Sequence, residues 1–231
     1  MAISLDTADK YVTYVHRKVK EDPGRRSALR RSLGRPVEDV MTHRAHSVVA
    51  PWLPSDRPRP AVESAYYSVA ALIAAQPRER GEQEDAAPEA DGPSAADTAS
   101  PPQDEPAGGA EDAKAAKQKA VRPSTSLGGT LGQAVRDGKL ASGTVETRLH
   151  LLCRQDVAGL HRMLPGLIRQ LAAKQVAPDW GRLLVDLSRW EYERGQVTKQ
   201  WLQDFYRAIH QADPAGPAND DNDDNTESED Q

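Results

Sequence analysis

Five arginines fall within eleven residues, at Arg25, Arg26, Arg30, Arg31 and Arg35. Arginine carries a permanent charge on a planar fork of N–H donors that matches phosphate oxygens. On a helix, Arg26 and Arg30 are i,i+4 neighbours, and like charges so placed repel by roughly 0.2–0.5 kcal/mol. A bound anion would relieve that repulsion. The competing interpretation is a solvated face balanced by Glu21 and Asp22, and the density of guanidinium groups favours phosphate binding. Arg148, Arg154, Arg162 and Arg169 recur further along the chain. Their spacing does not put all four on one straight helix face, although a folded bundle could gather them on one side. Arg182, Asp186 and Arg189, at i, i+4 and i+7, read instead as an internal salt-bridge ladder.

Catalytic and metal chemistry find less support. His43 and His46 lie three residues apart, but no cysteine or carboxylate pair accompanies them, so no metal or other cofactor is expected. The stretch from Gly132 to Lys139 is not a phosphate-binding loop: five residues rather than four separate its glycines, and Leu140 stands where Ser or Thr would hold Mg²⁺. No nucleophile elbow is present. Trp180, Trp190, Trp201 and Tyr206 fall at helical spacing and read as core rather than as base-stacking platforms. These residues describe a binding protein rather than an enzyme.

The net charge of −5 hides a basic body. Residues 79–112 hold eleven acids and one base, and residues 211–231 hold eight acids and no base. Without those two stretches, 29 Lys and Arg face 16 Asp and Glu, an excess of +13. A compact body of that charge suits a polyanion, of which nucleic acid is the commonest. Both acidic stretches lack the apolar residues needed to offset the entropy of ordering, so composition predicts disorder for each. The insertion is expected to act as a solubilising spacer or to cover the basic face in cis. Cys153 is the single cysteine, in an apolar helical stretch, and points to a cytosolic, reduced setting. No apolar run approaches ~18 residues, so no membrane span is expected.

The elements that must position these arginines are helices. Ala8, Tyr11, Val12, Val15 and Val19 repeat at helical spacing up to Pro23-Gly24. A short arginine-rich helix over Arg25–Leu33 stops at Gly34. Pro36 is expected to start a helix with Val37, Val40, Met41, Ala45 and Val48 on one face. Four prolines make 51–60 a loop, and Glu63–Ala75 is helical. After the insertion come a glycine-rich helix start over 127–135 and a helix capped by Ser142, with Glu146 near the capping-box position. A third helix, capped by Asp156, should kink or break at Pro165. An amphipathic helix capped by Asp179 follows, and a last helix carries Val197, Trp201, Leu202, Phe205 and Ile209. The fold is therefore all-α, with about nine helices in two small bundles. The expected division is an N-terminal bundle over 1–78, a disordered acidic insertion over 79–123, a C-terminal bundle over 124–212 and an acidic tail over 213–231.

Four segments in this order resemble a known family. They are Gly24 to Arg31, Thr147-Arg148-Leu149-His150-Leu151-Leu152, the run from Asp179-Trp180-Gly181-Arg182 through Leu187-Ser188-Arg189-Trp190, and Val197-x-x-x-Trp201-x-x-x-Phe205-Tyr206. Together they are similar to the small subunit of the type I-E CRISPR Cascade complex, the CasB family. The resemblance implies a cytoplasmic, non-catalytic, all-helical subunit. Two copies of it would lie beside the backbone and large subunits of the ribonucleoprotein and support the guide RNA, the target DNA and the displaced strand. Carried onto this sequence, the nucleic-acid contacts would be Arg25, Arg26, Arg30 and Arg31 in the first segment and Arg148 in the second, with Arg154 a looser match. The long acidic insertion departs from the family pattern. The rival reading, a helix-turn-helix regulator, lacks a good recognition helix, because Arg25–Leu33 runs into Gly34-Arg35-Pro36.

Overall fold

Short polar side chains set the helix starts. A computed structural model describes residues 3–54, 58–77 and 124–211. Ser4 accepts from the Thr7 amide at 3.2 Å and opens α1 (Leu5–Glu21). Asp22 ends α1, then accepts from the Arg25 amide at 3.1 Å to open α2 (Pro23–Arg31), with Pro23 in the first turn, where its missing N–H costs nothing. A 3₁₀ segment (Val40–Ala45), the single turn α3 (His46–Val49), a second 3₁₀ turn (Ala50–Trp52) and α4 (Pro60–Ala74) complete the half before the insertion. Beyond it lie α5 (Leu127–Arg136), α6 (Ser142–Cys153), α7 (Val157–Ala172) and α8 (Trp180–His210). Among the described residues there is no strand, and no helix is long and apolar enough to cross a membrane. The acidic insertion from 79 and the tail from 213, with the disorder expected of them, lie outside the described residues.

Three local expectations are corrected. Pro36 does not start an α-helix. Asp39 accepts from the Met41 amide at 2.8 Å and winds the next six residues as a 3₁₀ helix. The tighter winding turns Thr42 inward, where its hydroxyl donates to the Pro36 carbonyl at 3.0 Å. Val40 and Met41 are left 74% and 51% exposed rather than on a core face. Ser142 is the first helical residue of α6, not its cap; Ala141 precedes it with no side-chain bond. Glu146 is turned away from the helix start to accept from the Tyr206 hydroxyl at 2.6 Å. Pro165 neither ends nor breaks α7; its ring is buried, and the helix runs through it. The two terminal helices expected from the sequence are present and follow one another directly within α8, with Glu193 at φ −123°, ψ 24° as the non-helical kink between them.

The other caps behave as the sequence predicts. Asp156 accepts from the Gly159 amide at 2.7 Å, and Asp179 from the Arg182 amide at 2.9 Å. The helices on both sides of residues 78–123 contribute to one contiguous apolar core, from Ala8, Tyr11 and Val15 of α1 to Trp201 and Phe205 of α8. Trp180, Leu183, Leu187 and Trp190 are all buried in it. The buried Trp201 indole donates to Asp186 at 2.7 Å, and the Arg182 guanidinium reaches the other oxygen of that carboxylate at 2.9 Å. Arg189 instead lies 3.8 Å from Glu193, so only the first rung of the expected ladder forms.

α4 and α7 are joined by Ser68 and His161, with 2.7 Å between the Ser68 hydroxyl and Nδ1 of the ring. His161 is 9% exposed, and its Nε2 has no partner. Burial pushes the imidazole down to about 4. Between that value and the ordinary pKa of about 6.5, the unfolded chain binds a proton that the folded chain refuses, so stability falls with acid by about 1.4 kcal/mol per pH unit. The full loss, on the order of 3 kcal/mol, is complete near pH 4 and absent above pH 7. Urea unfolding at pH 7.5 and pH 4.5 should show it. His161→Gln, which keeps an amide for Ser68 but does not titrate, should lose less stability than wild type over that interval. Equal losses would exclude His161 as the source.

Candidate nucleic-acid interface

The end of α2 and the end of α7 form the two walls of an arginine cleft. Arg30, Arg31 and Arg35 come from α2 and the turn after it, and Arg169 comes from α7. Leu33, Met41 and Ala75 complete the lining of a cleft of about 650 Å³. Gly34 makes the turn possible: its φ of 71° is left-handed, a region that L side chains seldom adopt. The reversal places Arg35 beside Arg30 and Arg31. Among the described residues, no acidic side chain lines the cleft. Arg35 is paired with Asp39 at 3.0 Å. The Met41 amide and then the Arg35 guanidinium hold that carboxyl below its ordinary range. Arg30 and Arg31 are exposed, and their side chains make no ion pair or hydrogen bond among the described residues. Four arginines gathered around a single carboxylate partner, Asp39 on Arg35, make a concave site of positive potential, which is a site for closely spaced anions.

The structure sorts the arginines singled out by sequence. Arg30 and Arg31 meet in the cleft. Arg25 lies against Asp22 at 3.1 Å. Arg26 donates through Nε to the Ala74 carbonyl at 3.1 Å and through a terminal nitrogen to the Gln76 carbonyl at 2.6 Å. It thereby satisfies backbone acceptors at the end of α4, which leave the helix without partners of their own. Arg148 is on α6 and donates to Gln170 of α7 at 2.8 Å. Arg154 ends α6 and is exposed, but it does not line the cleft. Arg35 and Arg169 join the cleft, although the sequence alone did not place them with Arg30 and Arg31. Arg35 carried a signal, as the fifth member of the cluster; Arg169 carried only its recurrence with three other arginines.

Two arrangements that could suggest catalysis do not supply it. Ser68 and His161 are at nucleophile–base distance, but no carboxylate orients the ring, and an imidazole held near pKa 4 is a poor base for a hydroxyl. His46 bonds through Nδ1 to the Tyr67 hydroxyl and stacks on His43. Among the described residues, no group of three or more His, Cys, Asp or Glu side chains is placed to hold a metal. Cys153 is half-buried, and burial pushes its thiol up to about 11, the opposite of activation.

The family described as CRISPR-associated protein Cse2 matches residues 25–206. A solved chain of a CRISPR RNA-guided surveillance complex, pre-nicking, is 37% identical, covers 90% of this chain and 96% of its own length, and superposes with a TM-score of 0.67. A chain of a CRISPR RNA-guided surveillance complex is 34% identical, with 90% and 95% covered and a TM-score of 0.65. The crystal structure of M. ruber CasB, at 19% identity, covers 89% of this chain and 95% of its own with a TM-score of 0.58, a likeness of fold. A search of curated proteins gave no match.

Proposed function

The chain belongs to the CRISPR-associated Cse2 family, and from that premise we propose that it serves as a non-catalytic subunit of an RNA-guided DNA surveillance complex. In this reading, the cleft of Arg30, Arg31, Arg35 and Arg169 holds the sugar-phosphate backbone of the guide RNA–target DNA pairing or of the displaced strand. Base pairing to a guide carries sequence information in such machines, so the protein needs to read only backbone and shape. The observation that carries the reading is the convergence of four arginines, from segments more than a hundred residues apart in sequence, in a cleft with no acidic lining among the described residues. Arg148 and Arg154, outside the cleft, are assigned to the flanking surface. Arg25 and Arg26 support the cleft wall, through Asp22 and through the end of α4. The proposed partners are the guide RNA, the target DNA, the backbone and large subunits and a second copy of this chain, in the cytoplasm.

The test is target-DNA affinity of the reconstituted complex as a function of salt. Each phosphate contact contributes about 0.9 to the slope of log K against log salt. Arg30→Ala with Arg31→Ala should weaken binding at low salt without changing sequence preference, and should flatten the slope by about 2. An unchanged slope in a complex that still contains the subunit would remove the cleft from the contact surface.

A further inference from the structure

The arginine cleft opens at its foot onto a second, apolar pocket. Leu33, Ala75 and Arg169 line both. The pocket holds about 240 Å³, and its deep walls are Leu72, Pro165 and Ile168, all buried. That is below the roughly 300–1,000 Å³ of sites for drug-sized ligands, and leaves room for one ring system. Two side chains in it are polar. Arg169 presents its guanidinium at the shared rim. Gln76 commits its amide nitrogen to the Leu72 carbonyl at 3.0 Å, which leaves the amide oxygen as an acceptor.

We propose that this pocket takes one unstacked base of a single-stranded nucleic acid whose phosphates lie on Arg30, Arg31 and Arg35. The inference rests on the phosphate-binding reading of the cleft and adds the ligand's strandedness and the position of a base. The charge is what selects the occupant. A polynucleotide brings an anion and a flat apolar ring in every residue, and the two sites share one arginine and two apolar side chains. Planar guanidinium groups stack on bases as well as on aromatic rings. Duplex cannot fill the pocket, because its bases are already stacked and paired.

The experiment uses the full chain and single-stranded DNA of about ten nucleotides, within the usual range of sites for single strands. One member of the pair carries 2-aminopurine at a central position, and the other carries an abasic residue there. Ala172 is half-buried on the pocket wall, so Ala172→Phe should fill it while leaving every arginine in place. The expected result is about tenfold weaker binding of the base-containing strand, in line with the loss of one stacked base. The bright emission of an unstacked 2-aminopurine should be lost with it, and the abasic strand should bind wild type and variant alike. Ala173→Trp, from an exposed position on the same rim, provides the second probe should Ala172→Phe lower the melting temperature. Equal weakening of both strands, or no weakening of either, overturns the base pocket. Arg30→Ala with Arg31→Ala weakens both strands if the cleft holds phosphate, so failure of the cleft and failure of the pocket are separately visible.

Discussion

Gly128→Val should unfold the chain or cost it at least about 4 kcal/mol, the upper range for a single substitution. A Cβ at Gly128 would stand 1.8 Å from the Trp201 carbonyl oxygen and 2.7 Å from the Trp201 Cα. The obstacle is the backbone of α8, which no rotamer change can clear. One turn later, a Cβ at Gly132 would meet the Phe205 carbonyl oxygen at 2.5 Å. These two glycines let α5 lie against α8 at backbone distance, and any side chain must push the helices apart beside the buried Trp201 and Phe205. Thermal unfolding checks it. At roughly 2–4 °C per kcal/mol for a domain of this size, the midpoint should fall by more than about 8 °C. Gly166→Ala is the matched control: it lies inside α7, is exposed, and nothing comes within 4 Å of its Cβ position. It should raise stability by about 0.5–1 kcal/mol, the ordinary gain for removing a helical glycine. A Gly128 variant that melts with wild type would mean that α5 does not pack on α8 in this way.

That contact also shows where sequence reading stops. The apolar stripes of α1, α4, α7 and α8 were legible, because burial of one face leaves a period of 3.6 in the residues themselves. Asp156 and Asp179 were legible as caps, since their bonds reach only three residues on. The cluster of glycines before Val135 was visible too, but not its use, which depends on α8 some seventy residues away. Val40 and Met41 misled because their spacing fits a helical face, while Asp39 and Thr42 wind that segment as 3₁₀. The site divides in the same way. Arg30 and Arg31 announce themselves by density, yet nothing local distinguishes them from Arg26, whose partners are carbonyls at the end of α4. Arg169 becomes a cleft residue only once α7 is folded against the turn at Gly34. Properties set by neighbours in sequence were readable; those set by long-range contacts were not.

Trp190→Ala should cost on the order of 3–5 kcal/mol, the range for deleting a buried aromatic side chain. The side chain is 1% exposed, and its ring packs against Trp201 with centroids 5.1 Å apart. Its indole N–H donates to the Gln155 carbonyl at 3.0 Å, just before the Asp156 cap of α7. The substitution therefore removes packing between the two arms of α8 and leaves a carbonyl at the α6–α7 turn with one donor fewer, the Arg194 guanidinium being 3.3 Å away. Trp190→Phe separates the two contributions. It keeps most of the buried ring and loses the hydrogen bond, so it should cost the bond plus a small cavity, about 1–2 kcal/mol. The same tryptophan sits beneath a surface hollow with Tyr192 and Arg194 on its rim, which a base-stacking platform would also show. Melting temperature and single-strand binding, measured on the same variants, distinguish the two roles. A core residue loses stability in the order Ala, then Phe, and any loss of binding at 25 °C follows the unfolded fraction. A stacking residue would leave the melting midpoint unchanged and weaken binding directly, with Phe restoring it because a phenyl ring still stacks. The burial of the ring and its fixed N–H favour the first pattern.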